Sequence, residues 1–261
     1  MPNNSSHDTF PRQLTRYFGL YSLGFGALLV TLAILEHEGF PRFWLGYLFL
    51  FATIVVYAFI GVFSRTSDIT EYYVAGRRVP ALFNGMATAA DWISTASFIG
   101  LAGGLYLQGF DGLAYIMGWT GGYCLVALLI APYLRKFAQY TVPDYLAARY
   151  AGPYGNHTVR VLAVAATLII SFTYVVAQIY GVGLITSRFT GIDFSVGIFL
   201  GLASILVCSF LGGMRAITWT QTAQYVIIIV AFMIPVSWLA MKQTGIPLPQ
   251  VAYGSALERL G

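Results

Sequence analysis

Charged residues are scarce in this chain of 261 amino acids. Only 9% of the residues are Asp, Glu, Lys or Arg, while 58% are hydrophobic and the mean hydropathy is +0.73. A soluble domain is about 25% charged, so this composition cannot provide a water-soluble surface. It excludes soluble enzymes and secreted scaffolds, and it predicts a protein that lies in a membrane.

Cysteine and histidine are also scarce. Cys124 and Cys208 lie inside apolar runs, whereas His7, His37 and His157 lie outside them. No CxxC or Cys/His spacing is available to bind zinc or an iron–sulfur cluster, and no apolar run contains a histidine that could ligate haem. The sequence also has no recognisable pair of nucleophile and base and no phosphate-binding loop. We therefore expect no cofactor and no enzymatic activity.

Long apolar runs are abundant instead. A helix needs about 20 apolar residues to cross the hydrocarbon of a bilayer, and the runs lack the alternating pattern of an outer-membrane barrel. The sequence therefore predicts an all-α polytopic membrane protein with about seven transmembrane helices, at residues 18–35, 44–63, 82–107, 113–133, 161–187, 194–211 and 222–240. We expect residues 1–17 to form a polar tail.

Basic residues are divided unequally between alternate connections. One side holds ten of them, Arg12, Arg16, Arg65, Arg77, Arg78, Arg135, Lys136, Arg149, Arg160 and Arg215; the other holds four, Arg42, Arg188, Lys242 and Arg259. The positive-inside rule then places the N-terminus in the cytoplasm and the protein in the cytoplasmic (inner) membrane. The net charge of +4 reflects this topology and does not indicate a nucleic-acid partner. Cleavage of the first run as a signal peptide is the less favoured alternative, because acidic residues follow it.

Two connections are long. In residues 134–160, Thr141 or Asp144 is suited to cap a short helix at the cytoplasmic interface. Residues 241–261 form the start of an extracytoplasmic connection in this interpretation.

Asp91 is the only acidic residue within the seven predicted spans, and no basic residue lies there. A carboxylate at membrane depth is costly unless it is paired, hydrated or bound to a cation, so it indicates an ion or solute pathway. The helical spacing predicts that Thr88, Ser94 and Thr95 share the face of Asp91, so that four oxygen-bearing side chains face one way. Gly100, Gly103 and Gly104 lower the cost of unwinding, which would free carbonyl oxygens for a hard cation. We expect Na⁺ first and a proton second. The alternatives are that Asp91 pairs with a basic residue or caps a helix.

Two other polar positions within the spans are open to two interpretations. Gln178, between Tyr174 and Tyr180, could contact a solute or form a hydrogen bond between helices. Trp119, among several glycines, could line a pocket, although close helix packing is favoured.

Five stretches in one order resemble the sodium:solute symporter family. They are Glu71-Tyr72-Tyr73-Val74-Ala75-Gly76-Arg77, the Asp91 segment through Ser94, Ser97-Phe98-Ile99-Gly100, Tyr140-Thr141-Val142-Pro143-Asp144-Tyr145-Leu146, and Gly212-Gly213-Met214-Arg215-Ala216 with Trp219-Thr220. The resemblance implies the LeuT-like fold of two inverted five-helix repeats. Residues 18–63 would then be two leading helices, and residues 82–240 would be the first repeat.

The family resemblance also implies a sodium site. In the family, the first core helix is broken at mid-membrane, and two of its carbonyls bind Na⁺ together with hydroxyls of the eighth core helix. The matching carbonyls here are those of Ala90 and Ile93, beside Asp91 and Ser94. Ser97 and Trp119 match positions that contact substrate in the sugar carriers.

The expected function follows from the same resemblance. Asp91-Trp92-Ile93-Ser94 and Trp219-Thr220-Gln221 are more similar to the acetate and other monocarboxylate carriers. We expect sodium-coupled symport of a small organic acid such as acetate. The alternatives are a carrier of another solute (amino acid, sugar or vitamin), the membrane sensory module of a signalling kinase, and a half-carrier that binds a partner without transporting anything. Because a family member has a second repeat, we expect this chain to be a fragment or to assemble with that missing repeat.

Overall fold

The computed structural model describes residues 9–137, 139–150 and 157–257. These residues form helices and connections, without a strand. The all-helical fold expected from the apolar runs is confirmed. Outside the described residues lie 1–8 of the predicted tail, 138 and 151–156 of the predicted interfacial segment, and 258–261 of the predicted extracytoplasmic connection.

Eleven α-helices follow one another along the described chain. They are α1 (Thr9–His37), α2 (Arg42–Phe63), α3 (Ile69–Val74), α4 (Ala81–Trp92), α5 (Leu101–Gln108), α6 (Leu113–Leu125), α7 (Ala131–Phe137), α8 (Val142–Tyr150), α9 (His157–Thr190), α10 (Phe194–Thr244) and α11 (Pro249–Leu257). π-helical turns Ala96–Gly100 and Val126–Ile130 precede α5 and α7, and 3₁₀ turns Ala75–Arg77 and Gly109–Gly112 follow α3 and α5.

Within the part of the chain that the structure describes, five helical stretches are long and apolar enough to cross a membrane. They are Phe18–His37, Arg42–Phe63, Ala96–Phe137, His157–Thr190 and Ser209–Ala252. The difference from seven has two causes. The predicted span 82–107 is divided into two parts. Its first part, α4, is too short to cross a membrane by itself, and its second part continues into the next predicted span as the stretch Ala96–Phe137. The predicted spans 194–211 and 222–240 are joined in one helix, α10, which leaves the helical conformation at Gly213. The count of seven and the division into repeats stay predictions.

α10 is the central element of the bundle. It packs against α2, α4 and α9, and its backbone leaves the helical conformation at Gly213, where φ is 51° and ψ is −143°. A side chain is excluded there, because an ideal Cβ would lie 2.5 Å from the carbonyl oxygen of Tyr72. The kink therefore brings α3 close to the middle of α10.

Contacts between connections define the two ends of the bundle. At one end, the Thr66 N–H donates to the Leu211 carbonyl, and the rings of Tyr73 and Tyr140 lie 6.1 Å apart. At the other end, the Tyr47 hydroxyl donates to the Thr190 carbonyl. These contacts join the connections that the count of basic residues assigns to the same side.

The cap of α8 agrees with the sequence. The Asp144 N–H donates to Thr141 Oγ1 at 3.2 Å, and Arg160 pairs with Asp144 at 2.9 Å. Thr141 is thus the residue that caps the helix, while Asp144 links α8 to the start of α9.

Candidate functional site

The helix that carries Asp91 is interrupted two residues after Asp91, at Ile93. α4 ends at Trp92, and Ile93 has φ −78° and ψ 72°, which is not helical. Helical structure resumes at Thr95, where φ is −56° and ψ is −40°, and continues through the π-helical turn Ala96–Gly100 into α5. We call residues 93–95, from the end of α4 to the residue at which the helix resumes, the helix break. A break in this segment was expected from the family resemblance.

The hydrogen bonds around the break leave carbonyl groups without a backbone donor. The Ile93 N–H still donates to the Ala89 carbonyl, but the Ser94 N–H turns to the Trp92 carbonyl. The Ala90 carbonyl therefore loses its usual partner four residues ahead. Among the described residues, no N–H or hydroxyl group donates to the carbonyls of Ala90, Asp91 or Ile93. Unpaired carbonyls at a discontinuous helix are suited to bind a cation.

Two serines stabilise the break locally. The Ser97 hydroxyl accepts from the Ser94 N–H at 2.8 Å and donates to the Trp92 carbonyl. The hydroxyl oxygens of Ser94 and Ser97 lie 3.4 Å apart. Serine side chains that bond to nearby backbone offer the chain an alternative to the helix. The geometry thus gives Ser97 a structural task within the break, and its contact with substrate stays a prediction.

Asp91 is exposed and lies at the end of α4. Gln221 of α10 donates from Nε2 to Asp91 Oδ1 at 2.9 Å. None of the ion pairs among the described residues involves Asp91, so the structure offers no support for the alternative of a basic partner. The side chain that holds the carboxylate is a neutral amide.

The predicted single face of four oxygen-bearing side chains is wrong. Thr88 and Asp91 share α4, but the helix ends before Ser94 and Thr95. Thr88 donates its hydroxyl to the Asn84 carbonyl at 2.8 Å, within its own helix. A helical face cannot continue across residues whose backbone has left the helix.

α10 fixes the position of α4. Phe83, Ala87 and Ala90 are buried, and the ring of Phe83 lies 5.9 Å from that of Trp219. The Thr222 hydroxyl is 3.3 Å from the Phe83 carbonyl. α4 therefore presents Asp91 and the break from a packed helix.

A cavity of about 290 Å³ adjoins the break. Its lining includes Ile93, Ser94 and Thr95 on one side and residues of α9 and α10 on the other, among them Ile185 and Phe232. The walls are mostly apolar, with hydroxyl groups at the break. Such a space suits a small solute with one polar end.

Trp119 and Gln178 approach the break from different helices. The ring of Trp119 in α6 lies 6.2 Å from that of Trp92, and it also lines a cavity of about 240 Å³ between α5 and α6. Gln178 in α9 accepts the Thr95 N–H at 3.2 Å through Oε1. The structure therefore brings Ala90, Asp91, Ile93, Ser94 and Ser97 together in one segment, with Trp119 next to Trp92 and Gln178 next to Thr95.

Two residues near the break were missed by the sequence reasoning. Gln221 binds Asp91, and Gly181 lets α9 approach Thr95 so closely that an ideal Cβ would lie 1.9 Å from Thr95 Cγ2. Neither contact has a local sequence pattern. The available signals were the place of Gln221 in the stretch Trp219-Thr220-Gln221 and the presence of a glycine in the apolar helix α9.

The comparisons with known proteins agree with this architecture. Residues 72–252 match the family model described as the sodium:solute symporter family. The chain is 60% identical over its whole length to an uncharacterized symporter of Cupriavidus necator, of which it covers 38%. It is 32% identical over 70% of its length to the uncharacterized symporter YwcA of Bacillus subtilis (strain 168), of which it covers 35%. No solved structure matches.

A bundle of apolar helices built around a discontinuous helix is the architecture of many secondary transporters. The family match extends over more than half of the chain, from α3 into α11. The chain belongs to the sodium:solute symporter family. It spans less than two-fifths of the length of the curated relatives described above.

Proposed function

We propose that this chain supplies the broken helix of a carrier that couples Na⁺ entry to the uptake of a small organic acid such as acetate. The observation that supports the proposal is the set of unpaired carbonyls at the break. The carbonyls of Ala90 and Ile93 have no donor among the described residues, and the Asp91 carboxylate lies in the same segment. Neutral carbonyls with one carboxylate suit a monovalent hard cation.

The remaining parts of the site come from outside this chain in our proposal. The resemblance assigns two hydroxyl ligands of Na⁺ to the eighth core helix, which lies beyond the first repeat. The acid would occupy the cavity beside the break, which Ser94 lines. Trp119 lines the other cavity, between α5 and α6, so its contact with substrate stays a prediction. Binding of Na⁺ would fix the break and thereby shape the solute pocket, and this coupling is reciprocal.

The test uses the complete gene product in proteoliposomes. We expect uptake of ¹⁴C-labelled acetate, measured against a panel of small acids, to require an inward Na⁺ gradient. Replacement of Na⁺ by K⁺ that leaves acetate uptake unchanged would contradict sodium coupling. Uptake of a different acid would keep the coupling and change only the solute.

Asp91 provides the residue-specific test. Asp91→Asn keeps an acceptor for Gln221 and removes the charge, so we expect the sodium concentration for half-maximal uptake to rise about tenfold or more, the equivalent of about 1.4 kcal/mol. Asp111→Asn, in the exposed turn between α5 and α6, is the matched control and should leave it unchanged. Equal half-saturation in Asp91→Asn and the parent would show that Asp91 has no part in sodium binding.

A further inference from the structure

The side chain of Gln178 replaces a hydrogen bond that the helix break has lost. In an uninterrupted helix the Thr95 N–H would donate to the Asp91 carbonyl, four residues earlier. It donates to Gln178 Oε1 instead, at 3.2 Å. Only the oxygen end of the amide can accept from an N–H, so the chemistry fixes which end faces Thr95. Gln178 therefore holds one of the two N–H donors whose return to α4 would close the break, and the Ser94 N–H is the other.

The nitrogen end of the Gln178 amide shows which contact determines the position of this side chain. Gln178 Nε2 is buried and has no hydrogen-bond acceptor among the described residues. Buried donors in proteins are nearly always paired. A side chain that tolerates an unpaired buried N–H₂ in order to reach Thr95 is placed by its oxygen end.

A glycine of α9, about one turn after Gln178, also permits the contact between Gln178 and Thr95. Gly181 lies three residues after Gln178, on the same helical face. An ideal Cβ at Gly181 would lie 1.9 Å from Thr95 Cγ2 and 2.7 Å from Thr95 Cβ. The missing side chain lets α9 approach the break closely enough for the Gln178 amide to reach the backbone.

We propose that Gln178 is a positioning residue that keeps the helix break open: it leaves the Asp91 carbonyl unpaired between Ala90 and Ile93, whose carbonyls are the proposed ligands of Na⁺. The inference rests on the proposed sodium site and deepens it. It assigns Gln178 to the sodium side of the mechanism, where it acts through the backbone, instead of to direct contact with the solute. A side chain inserted into the hydrogen-bond ladder is a known cause of helix interruption.

Two substitutions separate the two ends of the amide. Gln178→Glu keeps an oxygen that accepts the Thr95 N–H and removes the N–H₂ group, whereas Gln178→Met removes both. In the complete protein, we expect Gln178→Met to raise the half-saturation for ²²Na⁺ binding about tenfold. Gln178→Glu should stay close to the parent or bind Na⁺ more tightly. Gln243→Met, at an exposed position near the end of α10, makes the same chemical change away from the break.

A distance measurement tests the break without sodium. Spin labels at the exposed positions Leu82 and Tyr106 lie on either side of it. A straight helix would separate these two Cα atoms by about 36 Å. We expect Gln178→Met to shift the distance distribution toward that value, and Gln178→Glu to leave it as in the parent.

The outcomes are distinct. Unchanged distances in Gln178→Met, or equal sodium half-saturation in the parent and both variants, would overturn the role of Gln178. A higher KM for acetate in Gln178→Glu, at unchanged sodium affinity, would also overturn it, because the donor end would then contact the solute. If the parent binds no ²²Na⁺, the proposed sodium site fails, while the distances still decide whether Gln178 holds the break.

Discussion

At the scale of single residues, polar side chains and not glycines open the helix at Asp91. Gly100, Gly103 and Gly104 were expected to ease unwinding, yet they lie in helical turns beyond the break, with no heavy atom near an added Cβ. The interruption falls at Ile93 and Ser94 instead. There the Ser97 hydroxyl and the Gln178 amide take up the backbone groups that the helix releases. Serine competes for backbone hydrogen bonds in this way.

A substitution at Gly181 tests whether the close approach of α9 to the break is required. A methyl group there would overlap Thr95, and the overlap includes Thr95 Cβ, which cannot rotate away. We expect Gly181→Ala to lower the thermal midpoint of the purified complete protein and to raise its sodium half-saturation several-fold. Gly104→Ala is the matched control, since no heavy atom lies within 4 Å. A helical Gly→Ala change without overlap favours the helix by about 0.5–1 kcal/mol. If Gly181→Ala and Gly104→Ala changed the thermal midpoint and the sodium half-saturation equally, the close contact between Gly181 and Thr95 would be contradicted.

At the scale of elements, two of the family-like stretches meet at the kink of α10. Glu71 of α3 pairs with Arg215 at 2.6 Å and accepts the Thr66 hydroxyl at 2.9 Å, while Arg78 lies 3.6 Å away. Asp68 caps α3 by accepting the Glu71 N–H. Charged groups thus fasten the connection after α2 to α10, beside the glycine that allows the kink.

The charge of Glu71 makes this attachment pH-dependent. Glu71 lies outside the candidate spans, and the hydrogen bond from Thr66 lowers the pKa of its carboxyl most; Arg215 and Arg78 lower it further, while burial opposes them in part. A lowered folded pKa means that the stabilisation is present above the unfolded pKa of about 4.3. It is lost as the pH falls through the folded pKa.

Arg215→Met keeps the length of the side chain and removes one partner of Glu71. We expect the thermal midpoint of this variant to fall below that of the parent by a constant amount above about pH 5. The difference should shrink as the pH falls below the ordinary range of a glutamate. Arg42→Met, which breaks the exposed pair with Glu36, should have little effect at any pH. A difference that persists to pH 3 would show that Arg215 stabilises α10 by some other contact.

The sequence could predict the helices and the segment of the break, but not the partners of the break. Apolar runs and the single acid in them are local properties, so the Asp91 segment and the cap at Thr141 could be located. Gln178 and Gln221 lie 83 and 130 positions from their partners along the chain. Such contacts depend on how helices pack. The count of seven spans stays a prediction, because runs of apolar residues do not show where a helix is interrupted.

At the scale of the whole molecule, the site has a consequence for energy coupling. One break offers the ligands for one cation in our proposal, so one Na⁺ would accompany one acetate anion. That pair carries no net charge, and the membrane potential, worth about 2.3 kcal/mol per charge per 100 mV, then does no work on it. The sodium gradient alone would drive uptake.

Proteoliposomes that contain the complete protein can separate the two driving forces. With a fixed inward Na⁺ gradient, we expect the rate and extent of acetate uptake to stay the same when K⁺ and valinomycin impose an inside-negative potential. Collapse of the Na⁺ gradient with a sodium ionophore should abolish accumulation. Uptake that rises with the potential would mean that more than one Na⁺ moves with each acid. The break would then hold only one of at least two cations, and a second site would have to lie elsewhere in the carrier.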